Sequence, residues 1–294
     1  MKSPLITAPT IFSPSRWSST GLLRICSSVR FLVSKSHHMS ASQHPIVALW
    51  AHPRSRSTAM ERIFMERNDF TIFHEPFSVL YYVHEAKGSA KFEAEVEKFA
   101  SNYEDIKKEI LAAAEKGPVF FKDMAYHPFQ HIMGDDEFLK RLTNTFIIRD
   151  PADTINSHYA MNPDLTREEV GYERQLQLFR RLEEVQGKAP ILVDSEDLTT
   201  DPNQIIEAYC QSVGIIHVPE ALEWEPGQPE AWKSWESWHK DASQSKGIIA
   251  KKNSYAVTVE NDSRLREMHD LELPFYNALR AQRIAAAPGS PPTN

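Results

Sequence analysis

The sequence predicts an α/β fold, a central parallel sheet of about five strands flanked by helices. Two observations predict it. Short apolar runs alternate with long amphipathic stretches along the chain. Each run also ends on polar or charged residues, as strands do when their carboxyl ends line a site. A third observation, the stretch "IVALWAHPRSRSTAMERIF" at 46–64, shows the unit in miniature: a buried strand, a turn dense in hydroxyls and arginines, then a helix.

The strand candidates are "IVALW" (46–50), "FTIF" (70–73), "PVFF" (118–121), "TFII" (145–148) and "PILV" (190–193). All are short and rich in β-branched or aromatic residues. Helices are expected at 57–68, 90–115, 152–161, 166–185, 202–213 and 263–283. Thr166 and Glu169 have the spacing of a capping box at the start of the fourth. Pro274 is expected to kink or break the last. Strand and helix in alternation imply crossover connections and hence parallel pairing.

The chain has 294 residues, 41% of them hydrophobic, which suffices for one sizeable core. A net charge of −7 argues against a polyanion-coating protein, so no nucleic-acid partner is expected and any basic site must be local. No run of eighteen apolar residues suggests a membrane span. The two cysteines, Cys26 and Cys210, give neither a disulfide framework nor metal-ligand spacing. Residues 1–43 hold Lys2, Arg16, Arg24, Arg30 and Lys35 and no acid. That composition reads as a disordered extension or a transit peptide, with Met39 as an alternative start. The expected localisation is cytoplasmic, or mitochondrial if this segment directs import. Residues 44–284 read as a single domain with a tryptophan-rich cap over 220–260, and 285–294 as a disordered tail.

The turn "PRSRST" raises the question of which anion it holds. A helix amino terminus presents unpaired N–H groups and a partial positive charge. Ser57 and Thr58 stand at that terminus, followed outward by Arg56 and Ser55. Arg54 adds a planar charged fork suited to phosphate or sulfate. Aligned with the triphosphate loop GxxxxGK[ST], Ala51 and Arg56 fall on the glycines and Ser57 on the lysine. Both glycines and the lysine are therefore absent, which fits an anion needing less wrapping, such as one 5′-phosphate bearing a transferring group. The plainer reading is a strand–turn–helix joint whose serines only cap the helix.

The segment "FIIRDPADTINSHYAMNP" (146–163) repeats the theme. Arg149 ends a strand, and Ser157 follows eight residues later in the next helix. Both can converge on a second phosphate, or Arg149 can simply pair with Asp150 or Asp153.

These stretches resemble the sulfotransferase family. Its first loop often reads "PKSGTT" or "PRSGST", where this chain has "PRSRST"; its second motif is an Arg and a Ser eight residues apart, here Arg149 and Ser157. "SEDLTTDP" (195–202) is similar to a later family motif, "YEDL…DP", with Ser195 in place of tyrosine. The resemblance covers roughly 45–215 and lies nearest the divergent microbial and fungal branch. It implies a P-loop α/β fold and the co-substrate 3′-phosphoadenosine 5′-phosphosulfate, held by Arg54, Ser55, Arg56, Ser57, Thr58, Arg149 and Ser157. It implies a small hydroxyl- or amine-bearing acceptor and no required metal. Arg56 replaces the loop glycine, so the turn has to form without glycine's free left-handed conformer. The family's K-x-H becomes "KDM", placing Lys122 conventionally but Met124 where a histidine base would stand; Ser245-Lys246-Gly247 at best echoes the terminal RKG motif.

Sulfuryl transfer is dominated by positioning and charge stabilisation. Lys122 is a candidate to reach the transferring group, or else a lysine paired with Asp123. For the base, "HEPF" (74–77) at the end of the second strand offers Glu75 first, with His74 and His127 in reserve. Glu75 could instead pair with Arg54 or Arg56. Trp224, Trp232, Trp235 and Trp238 suggest a lid and acceptor pocket near His239, or tryptophans that pack the cap onto the sheet. Two rival functions stay open: a nucleotide-dependent kinase, which needs a magnesium carboxylate, and a non-catalytic nucleotide-binding member of the fold. The sequence leaves the oligomeric state open.

Overall fold

In chain order the elements are β1 (Ile46–Ala51), α1 (Ser57–Arg67), β2 (Thr71–His74), α2 (Tyr103–Ala114), β3 (Val119–Met124), α3 (Phe129–Ile132), α4 (Asp136–Arg141) and β4 (Thr143–Ile148). There follow α5 (Pro151–Tyr159), α6 (Arg167–Val170), α7 (Tyr172–Gln186), β5 (Ile191–Asp194), α8 (Ser195–Thr200), α9 (Pro202–Val213), α10 (Glu236–Ser243) and α11 (Ser263–Arg280). This computed structural model describes residues 44–85, 102–250 and 253–284; the side chains of 83–85 and 233–237 are not among them. The extension 1–43, the tail 285–294 and the first part of the helix expected at 90–115 lie outside the described residues, as does the side chain of Trp235.

All five strands are parallel, in the order β2-β3-β1-β4-β5. β1 sits centrally and is buried along its whole length. Its side chains alternate between two cores, which is why its sequence is apolar without a break. Ile46, Ala48 and Trp50 face the core built with α2, α5, α7 and α11. Val47, Leu49 and Ala51 face the core built with α1 and α9. Gln175 of α7 donates to the carbonyls of Trp50 (3.1 Å) and Ile147 (2.9 Å), satisfying backbone acceptors where β1 and β4 end.

The chain leaves β1 through α1 over one face of the sheet and β4 through α5 over the other. The connections that follow β1 and β4 thus diverge, opening the crevice typical of such sheets. Register aligns the strand ends: Trp50 lies beside Asp123, His74 beside Lys122, and Ile148 beside Asp194. β2 lies at the sheet edge with β3 between it and β1. Residues after β2 therefore reach the loop across the end of β3 rather than as direct neighbours.

One expectation about helices is corrected, and the break expected at a second is absent. The helix expected at 166–185 is two helices, because Gly171 takes a left-handed conformation (φ 91°) between α6 and α7. A Cβ there would come within 3.1 Å of the Cβ of His52, so a close approach as well as the turn favours glycine. α11 runs unbroken through Pro274. Buried Leu265, Glu272, Tyr276 and Leu279 lie on both sides of the proline, and packing against α5 and α7 outweighs the one lost backbone bond.

Candidate active site

A cleft of about 220 Å³ opens at the carboxyl ends of the strands. One wall is the turn after β1 and the start of α1: Arg54, Arg56, Ser57 and Thr58. Arg149 and Ser157 from the β4–α5 unit line it as well, as do Trp238, His239 and Asp241 from α10. Glu75, Tyr82, Tyr126 and His127 line the rest with Met124.

Arg54 and Arg56 both adopt left-handed backbone conformations (φ 63° and 69°). The turn thus takes the conformation for which glycine was expected, and side-chain contacts hold it there. Arg56 Nη1 donates to Thr199 Oγ1 (2.8 Å) and to the carbonyl of Ser195 (3.2 Å). The "SEDLTTDP" segment therefore anchors the loop through Arg56. Arg54 Nε donates to Ser157 Oγ at 2.8 Å, and its Nη1 to the Trp238 carbonyl at 3.0 Å. Arg149 Nη1 donates to the carbonyl of Arg54 (3.2 Å), and its Nη2 pairs with Asp153 (2.9 Å). Two strand–turn–helix units widely separated in sequence thus share one cationic wall. Ser55 is fully buried and does not line the cleft.

His52 fixes the seam between these units. Its Nδ1 lies 3.0 Å from the carbonyl of Pro53, and its Nε2 accepts the backbone N–H of Arg149 at 3.2 Å. That pattern requires a neutral ring protonated on Nδ1. Burial, with the nearby Arg149 charge, lowers its pKa from 6.5 to about 3. Burial and Arg54 lower His158 likewise to about 3. Both groups have folded values below their unfolded values. Their stability is present above about pH 6.5 and is lost as pH falls towards 3, because the unfolded chain takes up protons that the folded chain refuses. Each contributes a slope of at most about 1.4 kcal/mol per pH unit. Urea unfolding midpoints between pH 7 and 5 are expected to fall, and to fall less steeply in His158→Gln.

The glutamate after β2 pairs with neither loop arginine. Glu75 Oε1 lies 2.5 Å from Nζ of Lys122, which is fully buried. Burial pushes the Glu75 carboxyl up, but Lys122 and the surrounding histidines override it and hold it well below the carboxylate range. Lys122 does not line the cleft, and its partner is Glu75 rather than Asp123. Asp123 instead accepts from His127 Nδ1 (2.5 Å) and from the backbone N–H groups of Phe77 (2.7 Å) and Met124 (2.8 Å). Among the described residues His127 Nε2 is buried without a hydrogen-bond partner, and the ring lies among Tyr81, Tyr82 and Tyr126. The turn after β3, closed by the His127 N–H to the Met124 carbonyl (3.0 Å), folds His127 back beside Asp123.

His74 lies behind the cleft. Its Nδ1 meets Glu61 Oε2 at 2.8 Å, and its Nε2 lies 3.1 Å from Nε2 of His239. Burial and Lys122 drive His239 down to about 2. Trp232 is fully buried and donates to Glu61 (3.1 Å), while Trp224 is buried near α1; these two tryptophans pack the cap. Trp238 faces the cleft. Glu61, His158 and Asp241 carry no motif that marks them, and Asp123 is read only as a possible partner of Lys122. The Asp123/His127 spacing of four was the one local signal available.

No helix among the described residues is long and apolar enough to cross a membrane. Structural neighbours include a sulfotransferase from Alicyclobacillus acidocaldarius, at 14% identity over 67% of this chain and 92% of that chain (TM-score 0.45). The sulfotransferase domain of the Synechococcus PCC 7002 olefin synthase matches at 14% identity over 78% and 95% (TM-score 0.43). Among curated proteins, branched-chain-amino-acid aminotransferase-like proteins 1 and 2 of Arabidopsis thaliana are 23% and 24% identical over 84% and 80% of this chain. The chain spans 45% and 41% of their lengths, less than half of each. A family model described as a sulfotransferase domain matches residues 45–283, taking in every strand and the whole cleft. With that match over most of its length, the chain belongs to the sulfotransferase-domain family.

Proposed function

We propose that the chain moves a sulfuryl group from 3′-phosphoadenosine 5′-phosphosulfate to a hydroxyl or amine of a small acceptor. The observation that carries this reading is the shared cationic wall, in which Arg54 of the first loop bonds Ser157 of the second unit. A donor with a 5′-phosphosulfate and a separate 3′-phosphate needs two anion sites on one cleft. The amino terminus of α1, with Ser57, Thr58 and Arg54, takes the first; Arg149 and Ser157 take the second.

His127 is the base in this reading, ahead of Glu75. Asp123 holds the His127 Nδ1 proton, which leaves the Nε2 lone pair free. The acceptor oxygen or nitrogen forms a bond to sulfur as its proton passes to Nε2. The bond from sulfur to the bridging oxygen breaks, and its electron pair leaves on the 5′-phosphate, where Arg54 meets the charge. Glu75, committed to Lys122 and held strongly acidic, is a weak base.

Calorimetric titration without added metal tests the reading. Adenosine 3′,5′-bisphosphate is expected to bind and ATP not to. Arg54→Ala is expected to lose about 1.5–3 kcal/mol of bisphosphate binding, the range for a hydrogen bond to a charged group. Tight ATP binding restored by magnesium would favour the kinase, and binding of neither would favour a member that has left nucleotide chemistry.

A further inference from the structure

We propose that His74, His239 and Glu75 form a site for one borderline divalent transition-metal ion of the zinc class, which pins α10 to the end of β2. Their donor atoms all lie within 4.8 Å of one another. Two histidines and one carboxylate are a donor set suited to zinc and its neighbours rather than to magnesium or calcium. The two Nε2 atoms stand 3.1 Å apart. Tetrahedral coordination at a zinc–nitrogen distance of about 2.0–2.1 Å requires about 3.3 Å.

The groups behind the donors point the same way. A metal-bound histidine usually gives its other ring nitrogen to a carboxylate or another acceptor, which fixes the tautomer. His74 Nδ1 lies 2.8 Å from Glu61 Oε2, so its Nε2 faces His239. Glu61 is itself fully buried and is held by the indole N–H of Trp232 at 3.1 Å. His239 Nδ1 meets Thr58 Oγ1 at 3.3 Å. Each histidine is therefore oriented from behind by a second side chain. Glu75 holds a left-handed backbone (φ 43°) that brings its carboxylate to this point.

Lys122 occupies Glu75 Oε1, and a carboxylate has a second oxygen for the ion. The ligands come from β2, the turn after it and α10, so the ion ties the segment carrying Trp238 and Asp241 to the sheet. This inference is independent of the sulfuryl-transfer reading.

The test is zinc titration of the full chain, stripped of metal by chelator, followed by calorimetry and elemental analysis. About one zinc per chain is expected, with a raised melting temperature in the wild type. His74→Gln and His239→Gln are expected to abolish uptake, while Glu61→Gln weakens it about 10–100-fold. His269→Gln, on α11 and outside the cluster, is expected to leave it unchanged. The cobalt form of the wild type should absorb strongly in the visible, as four-coordinate cobalt does. That reading holds even if the variants fail to fold. The proposal is overturned if the wild type takes up no zinc, in which case a proton bridges the two histidines. Uptake that survives the His74→Gln/His239→Gln pair, or a weakly absorbing six-coordinate cobalt spectrum, overturns it equally.

Discussion

Replacing His127 by Gln lowers sulfuryl turnover about 10²–10⁴-fold, the range for loss of a positioned base, and leaves bisphosphate affinity unchanged. The glutamine can still hydrogen-bond Asp123, so the turn after β3 keeps its partner, but it cannot take a proton. His127 lines the cleft on the side formed by β3, away from the Arg54–Ser157 contact that carries donor binding. The effect therefore falls on kcat rather than on donor dissociation. Asp123→Asn sharpens the test. Its amide can turn an N–H towards Nδ1, imposing the tautomer whose Nε2 carries a proton and cannot act as base. The same substitution leaves the backbone N–H groups of Phe77 and Met124 to share one oxygen. It thus costs stability as well as turnover, and melting curves separate the two. Glu75→Gln tests the alternative. If it abolishes turnover in folded protein while His127→Gln does not, the base is Glu75 and the assignment fails.

The strand order of chemistry was legible because it is local. Arg54 and Arg149 could be placed at one end of the sheet from sequence, since each closely follows a strand and parallel strands end at one level. The same logic placed Lys122 and Glu75 at strand ends. It could not tell that they would bond each other, because pairing depends on β3 lying between β2 and β1. Arg56 shows a different limit. The missing glycine suggested a turn without a left-handed residue, yet Arg56 is left-handed, held by Thr199 and the Ser195 carbonyl more than 130 residues away. His74 and His239 are separated by 165 residues. No spacing rule joins them, because their proximity is set by where the cap folds back over α1. At Pro274 the expected break is absent for the opposite reason: a strong local signal lost to packing on both sides of it.

The largest effect on stability is expected at Lys122. Lys122→Met removes the ammonium from a fully buried pair and leaves Glu75 with a charge that the interior cannot solvate. Breaking such a pair from one side costs about 3–5 kcal/mol. The double variant Lys122→Met/Glu75→Gln removes both charges and is expected to be more stable than Lys122→Met alone, since the cost lies in the uncompensated carboxylate rather than in the lost attraction. The pH dependence carries the same logic. In the wild type, burial alone would lower Lys122, but Glu75 and Glu61 raise it above its ordinary 10.5. Glu75 is held below its ordinary 4.5. A raised lysine gives stability below pH 10.5 that is lost as pH rises through its folded value. A lowered glutamate gives stability above pH 4.5 that is lost as pH falls through its folded value. The pair therefore contributes no slope between those limits. Without Lys122, burial becomes the dominant influence on Glu75 and moves it upward, reversing its sign. The unfolded chain then releases a proton that the folded chain keeps, and the variant gains relative stability as pH falls from 7 to 5. Urea unfolding at the two values measures this directly. The gap between wild type and Lys122→Met should narrow at pH 5, and a gap that stays constant would mean the carboxylate has found another partner.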